Sequence, residues 1–347
     1  MKKISVILLA VLLISLVIFS SCAGQPSAPG KSNDLTMIGA TVGSGTYALN
    51  LGMAEMWNKH VQKPHPVNVS VRSYQAITET FKALGSGQTD ITWAPIAFAF
   101  LVSKGIGPYQ SDGKQGFYKL ICGGQAVPFL ITTDPNIKTV ADLKGKKFAG
   151  KKTADPNLDA IRTAYLAAND MTDDDVKLIE FNAYTESVRM VKDGTADAGM
   201  FLSSALNPAV EELALSKTVY FIPISEKELK SIQAKGPYWY KAEIAAGTYK
   251  GQDEAVPVAS HREGVYVGLD FDQKLAYEMM KAIYDNFDEF TGYHSTAKYW
   301  DLAAASAIER IFQPFAPGSV KYFKEKGVWT DEHEEMQRLL LKQAGVD

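Results

Sequence analysis

The chain has 347 residues, 46% of them apolar and 22% charged, with a formal net charge of −3 at pH 7. That length accommodates two domains of ordinary size, and a mildly acidic balance without long blocks of like charge argues against nucleic acid as a partner. There are two cysteines; with Cys22 spent in an N-terminal leader, no disulfide framework is possible, and Cys122, in the apolar run Leu120-Ile121-Cys122, is expected to pack as a small hydrophobe.

The chain opens with Met1-Lys2-Lys3, an almost wholly apolar run from Ile4 to Phe19, and the small residues Ser20-Ser21-Cys22-Ala23-Gly24. This is the pattern of a secretory signal over residues 1–21. A cysteine directly after the small pair resembles a bacterial lipobox, in which Cys22 is acylated, although Phe19 stands where leucine is usual. The alternative is an uncleaved membrane anchor, for which the apolar run is somewhat short of the ~20 residues of a comfortable span. Either reading puts the remainder in the periplasm or at the cell surface. Residues 22–34, rich in Pro, Ser and Gly, read as a flexible tether.

The next part of the chain says nearly the same thing twice. Met37-Ile38-Gly39-Ala40 leads into Gly43-Ser44-Gly45-Thr46 and a helical stretch, and Phe148-Ala149-Gly150-Lys151 leads into Thr153-Ala154-Asp155-Pro156-Asn157 and another. Each unit closes on Gly-x-x-Asp and a strand, at Gly87 to Asp90 and at Gly194 to Asp197. Strands are predicted over Leu35 to Ala40, Val67 to Arg72, Asp90 to Trp93, Lys146 to Ala149, Lys177 to Phe181 and Ala196 to Met200. Between them lie helical spacings such as Leu49-Met53-Met56-Trp57 and Ile161-Tyr165-Leu166. Alternating strands and helices imply largely parallel sheets built from right-handed crossovers.

The expected fold class is therefore α/β with two lobes, each a mixed, mostly parallel sheet flanked by helices. Gln125 to Thr132 is an extended apolar run suited to crossing into the second lobe, and Val256 to Leu269 can carry the chain back. The lobe boundaries are then 35–125 plus 256–347 for the first and 126–255 for the second, with a helix over Gln273 to Phe287 completing the first. Ligand is expected between the lobes, trapped by hinge closure.

The chemistry of such a cleft starts at helix N-termini, whose free N–H groups and partial positive charge attract carboxylate or phosphate. In the first lobe Gly43 and Gly45 allow close backbone approach, Ser44 and Thr46 add hydroxyls, and Tyr47 covers the site; the alternative is an ordinary turn with a hydroxyl cap. In the second, Thr153, Asp155 and Asn157 occupy the equivalent loop. Asp155 facing a ligand favours a solute with an amine; Asp155 before Pro156 is equally a helix cap followed by a first-turn proline. Arg72, at the end of its strand, is suited to gripping a carboxylate through paired hydrogen bonds or to resting solvated on the surface. Tyr74 and Trp93 supply apolar walls, with core packing as the alternative for Trp93. By the internal symmetry, Phe201, Ser203 and Ser204 line the opposite wall.

In order along the chain, Thr41 to Tyr47, Leu84 to Asp90, Asp142-Leu143-Lys144-Gly145-Lys146-Lys147, Asn207-Pro208-Ala209-Val210, Ala246-Gly247-Thr248-Tyr249 and Pro314 to Tyr322 resemble segments of the TAXI family of solute-binding proteins. Those are the extracytoplasmic receptors of a subclass of TRAP transporters, with the type II periplasmic binding protein fold, the Venus flytrap. The resemblance runs from about Thr36 to Trp329. Ala316 stands where members often carry histidine, and the second-lobe loop departs from the family's small, Gly/Ser-rich form. The resemblance implies that Trp93 and Pro95, after the Gly-x-x-Asp turn, line the cleft. It also implies a receptor that captures a small organic acid or amino acid, such as glutamate, glutamine or a dicarboxylate, and hands it to a TRAP membrane component.

A sensor that presents the closed form to a receptor kinase or chemoreceptor is the alternative with the same fold. A secreted hydrolase using Ser44 is weaker: the Gly-x-Ser-x-Gly spacing is missing and no histidine lies near in sequence. His60, His65, His261, His294 and His333 lack metal-ligand spacing, and Asp173-Asp174-Asp175 after Thr172 reads as a helix start rather than a calcium loop. The Gly43 loop lacks the lysine of a P-loop and the third glycine of a dinucleotide fingerprint. The chain is thus expected to be no enzyme, and to need no cofactor or metal.

Overall fold

The computed structural model describes residues 34–346, except 41, 43, 62–65, 75, 154, 204–206 and the side chain of Pro156. The chain divides into Met1–Ser32 and Asn33–Asp347; the expected signal, Cys22 and the tether as far as residue 33 lie outside the described residues, as do Gly43, His65 and Ser204.

The first lobe begins with β1 (Asp34–Gly39), α1 (Gly45–His60), β2 (Asn68–Ser73), α2 (Glu79–Gly85), β3 (Ile91–Pro95) and α3 (Ile96–Lys104). β1 lies between β2 and β3, parallel to both. α1 buries Leu49, Met53, Met56 and Trp57, the spacing that predicts it, and buried Asn50 accepts the Ala40 N–H at 2.9 Å, tying the end of β1 to the helix.

β4 (Tyr118–Thr132) is long, and nearly all of it is buried, as a strand covered on both faces should be. The strand that contains the expected crossing run, Gln125 to Thr132, starts seven residues earlier, at Tyr118, and Tyr118 to Gly124 are as buried as the rest of it. Further on come β5 (Lys147–Lys152), α4 (Pro156–Ala167), β6 (Lys177–Phe181), α5 (Tyr184–Asp193), β7 (Ala198–Ser203), α6 (Pro208–Ser216), β8 (Tyr220–Phe221), α7 (Glu226–Lys235) and β9 (Tyr240–Ile244). β5 is parallel to β6 and β7. The expected helix start at Asp173 is a single 3-10 turn. Asp175 turns back to accept the Thr172 N–H at 2.9 Å, and β6 comes directly after it.

β10 (Val256–Val267) returns the chain, and after it come α8 (Gln273–Tyr284), α9 (Phe287–Thr291), α10 (Leu302–Ala305), α11 (Pro317–Glu325) and α12 (Asp331–Ala344). The helix expected over Gln273 to Phe287 stops at Tyr284, and Asn286 (φ −126°, ψ 37°) leaves helical geometry before α9.

The strands run in the order β2-β1-β3-β10-β4-β7-β5-β6, with β8 on β4 and β9 on β10. β4 pairs antiparallel with β10 through residues up to Ala126, then with β7 from Val127 to Thr132. β10 pairs with β9 over Val256 to Ser260, then with β4 and β3 from His261 on. Two long antiparallel strands thus join two mostly parallel α/β sheets, which is the two-lobed type II periplasmic binding protein fold. No helix among the described residues is long and apolar enough to cross a membrane.

The repeated closing turns do the same work in each lobe. Asp90 Oδ2 accepts the Thr36 N–H at 2.8 Å while its own N–H donates to the Thr36 carbonyl. Asp197 Oδ2 accepts the Lys147 N–H at 2.8 Å while its N–H donates to the Lys147 carbonyl. Gly87 and Gly194, at φ 69° and 74°, supply the left-handed residue that lets each turn close.

Candidate functional site

Four segments distant in sequence bring polar groups together between the lobes. Tyr74 comes directly after β2. Asp155 and Tyr184 stand at the starts of α4 and α5 in the second lobe, and Glu263 lies on crossing strand β10. In antiparallel register Glu263 sits opposite Pro95, and Val265 opposite Trp93, so Trp93, Pro95, Glu263 and Val265 share one face of the sheet. Burial is the main force raising the Tyr74 phenol above its usual range, and the charges of Asp155 and Glu263 push it the same way. A first-lobe side chain thereby senses a second-lobe carboxylate across the cleft.

Asp155 does two things at once. Its Oδ1 accepts the Leu158 N–H at 3.1 Å, capping α4 ahead of Pro156, and its Oδ2 accepts the Tyr184 hydroxyl. Burial first, then Asp155, holds the Tyr184 phenol well above its usual range, and the Lys152 ammonium lies 5.4 Å from the Tyr184 ring centre. The capping geometry expected for Asp155 is present.

Glu263 is a carboxyl pushed up to about 8 by burial, with the Trp93 indole opposing the shift. Trp93 is 5% exposed, and its Nε1 makes no hydrogen bond of ordinary geometry. Neighbouring Arg262 is committed elsewhere: its Nη2 donates to Glu309 at 3.2 Å and its guanidinium lies 5.9 Å from the Tyr240 ring centre.

At the first-lobe loop Ser44 Oγ accepts the Tyr47 N–H at 3.1 Å and so caps α1. A Cβ on Gly45 would lie 2.8 Å from His294 Cε1 and 3.0 Å from Nε2; the glycine admits an imidazole against the first turn. His294 Nδ1 accepts the Thr296 N–H at 3.2 Å, which assigns the proton of the neutral ring to Nε2, on the side of Gly45. Burial lowers the affinity of this imidazole for a second proton. Thr46 and Tyr47 are half-buried, with Tyr47 packed on the core.

The other expected residues divide. Pro95 is half-buried at the start of α3, and Asn157 is half-buried in the first turn of α4. Ser203 Oγ accepts from Asn207 Nδ2 at 2.9 Å, and Asn207 caps α6. Thr153 is exposed, its hydroxyl donating to Glu180 at 2.9 Å. Arg72 is exposed and donates to the Gln88 carbonyl at 2.8 Å. It borders a hollow of about 730 Å³ shared with Tyr74, Lys82 and Asp112. Phe201 corrects the symmetry argument: it is fully buried and stacked on Phe129 with ring centres 5.2 Å apart, a core residue instead of a cleft wall. A second hollow of about 1090 Å³ reaches Gln125, Arg262 and Lys298. Neither hollow is lined by Trp93, Asp155 or Glu263; the enclosed cluster, fed by both lobes and a crossing strand, is the candidate site.

Sequence reasoning missed Glu263, Tyr184 and His294. For Glu263 a signal existed, the charged pair Arg262-Glu263 interrupting an otherwise largely apolar crossing strand. For Tyr184 and His294 there was none, since only folding brings them to Asp155 and Gly45.

Residues 37–327 match the sequence model of the NMT1-like family. Among solved structures the chain is similar to the periplasmic aliphatic sulphonate binding protein SsuA from Escherichia coli, at 13% identity over 90% of this chain and 88% of that one, TM-score 0.45. It is also similar to a periplasmic sulfonate-binding protein from Methylobacillus flagellatus (13% identity, 90% and 95% covered, TM-score 0.47). A third is the substrate binding domain 2 of GlnP from Lactococcus lactis (13%, 79% and 97%, TM-score 0.41). Likeness at this level says nothing about which ligand the present chain takes.

Proposed function

This chain belongs to the NMT1-like family, and from that premise we propose that it is an extracytoplasmic solute receptor that closes its two lobes on a small organic acid or amino acid. The observation that carries the reading is that Tyr74 of the first lobe lies within reach of the charges of Asp155 in the second and of Glu263 on a crossing strand. Groups contributed by both lobes and the hinge are what a binding protein needs, because a solute touching all three is released only when the lobes part.

The first-lobe end of the cleft is rich in donors: the start of α1 and His294 Nε2. The crossing-strand and second-lobe end is rich in acceptors: Glu263 and Asp155. That polarity favours a zwitterionic solute over a plain dicarboxylate. In the finer reading the protein is the TAXI-type receptor of a TRAP transporter, lipid-anchored through Cys22, with lobes 35–125 plus 256–347 and 126–255. It delivers its solute to the membrane component. The order of matching segments from Thr41 to Tyr322 supports this subclass.

The test is thermal melting of the purified protein with glutamate, glutamine, dicarboxylates, keto acids and sugar acids. A solute bound only to the folded state at 100 times its Kd adds about 2.7 kcal/mol, a rise in Tm of several degrees. If no member of the panel moves the Tm, the reading is wrong.

A further inference from the structure

Glu263 and Trp93 are each left wanting in this cleft, and in complementary ways. Among the described residues no cationic side chain shifts Glu263: burial and the Trp93 indole account for its displacement. The neighbouring groups are few. Tyr74 comes from the end of β2, with Asp155 of the second lobe beyond it. Tyr266 on β10 itself feels the Glu263 charge. Opposite Glu263, β4 offers the glycines Gly123 and Gly124, which lie between the paired positions Cys122 and Gln125. Lys119 of β4 is turned to Cys122, its Nζ 3.8 Å from Sγ, and Arg262 is turned to Glu309. The Trp93 Nε1–H, meanwhile, is buried beside this carboxyl, which it opposes in its shift, without a hydrogen bond of ordinary geometry.

An ionised carboxylate offers about four acceptor directions, enough to take the indole N–H and a second donor together. Ionisation in this half-buried position is costly unless a positive charge arrives with it. We infer that Glu263 and the Trp93 indole form a subsite for a protonated amine of the solute, on the face of the sheet that β10 presents to the cleft. This rests on the receptor reading and narrows it: the solute carries an ammonium group, received by the carboxylate oxygens that the indole N–H leaves open.

Binding is then linked to proton release. With its carboxyl pushed up to about 8, Glu263 is mostly protonated at pH 7 in the empty protein, and the incoming ammonium lowers that value and expels the proton. Affinity for the amine therefore rises with pH towards about 8 and levels off above it.

The experiment compares solutes that differ only in an amino group, L-glutamate with glutarate and L-glutamine with glutaramate, on the wild type and on Glu263→Gln, by calorimetry and thermal melting. The wild type is expected to bind the amino member of a pair at least about tenfold tighter, equivalent to about 1.4 kcal/mol, and Glu263→Gln to bring the two within about threefold. Calorimetry of the wild type at pH 7 in buffers of different ionisation enthalpy is expected to give close to one proton released per amino solute bound. Retention of the preference in Glu263→Gln, preference of the wild type for the deaminated member, or no proton release overturns the assignment while leaving the receptor reading standing. If no solute of either kind binds, both fall.

Discussion

The starts of α1 and α4 occupy the same place in the two lobes, after the first strand of each, and they are finished differently. α1 is capped by the neutral hydroxyl of Ser44, and its first residue, Gly45, is bare under the His294 ring. α4 is capped by the carboxylate of Asp155, which also holds the Tyr184 hydroxyl. A helix start carries roughly half a positive charge. In the second lobe the protein's own carboxylate answers it; in the first the capping group is an uncharged hydroxyl. One scaffold, used twice, thus yields two helix starts that differ in charge.

Substitutions can break or sharpen this contrast. The largest effect is expected at Phe201→Ala, which removes a stacked core ring and should cost about 4 kcal/mol in urea denaturation. A change under about 1 kcal/mol would return Phe201 to the cleft wall, alongside Trp93. Asp155→Ala should cost about 2 kcal/mol, about half from the lost cap and half from the Tyr184 hydroxyl left without its acceptor. Ser44→Ala, which removes a cap alone, should cost about 1 kcal/mol. Equal losses at these two sites would show that the asymmetry of the helix starts has no energetic weight. Smallest is the control on the shared scaffold: Asp90→Asn and Asp197→Asn should each cost about 1 kcal/mol and agree within about 0.5 kcal/mol. A clear difference between them would mean that the matched turns are alike in shape but not in strength.

Much of the fold was legible because it rests on local rules. The strand from Lys177 to Phe181 is observed at the expected bounds. The Val69 and Val71 alternation, the α1 spacing and the Gly-x-x-Asp turns each reflect a period or a backbone requirement written within a few residues. Where the structure departs from these local patterns, the cause is shared. Asp173 to Asp175 do start a capped helical turn after Thr172, but it stays a single 3-10 turn: Asp173 pairs with Arg162 at 2.8 Å and β6 soon follows. Phe201 obeys the repeat in sequence, but stacking on Phe129 of the crossing strand draws it inward.

By itself the sequence determined the repeated α/β units, the two crossing segments and the capping role of Asp155, because helix period, strand alternation and cap chemistry act over one or two turns of chain. Only the tertiary structure decided the cleft's chemistry. It set Glu263 beside Trp93 without a cationic partner, placed His294 on Gly45, and spent Arg72 on the Gln88 carbonyl. Those outcomes depend on which groups lose water together and which find partners, and burial shared among segments from Tyr74 to His294 is a property of the packed chain that no local stretch encodes.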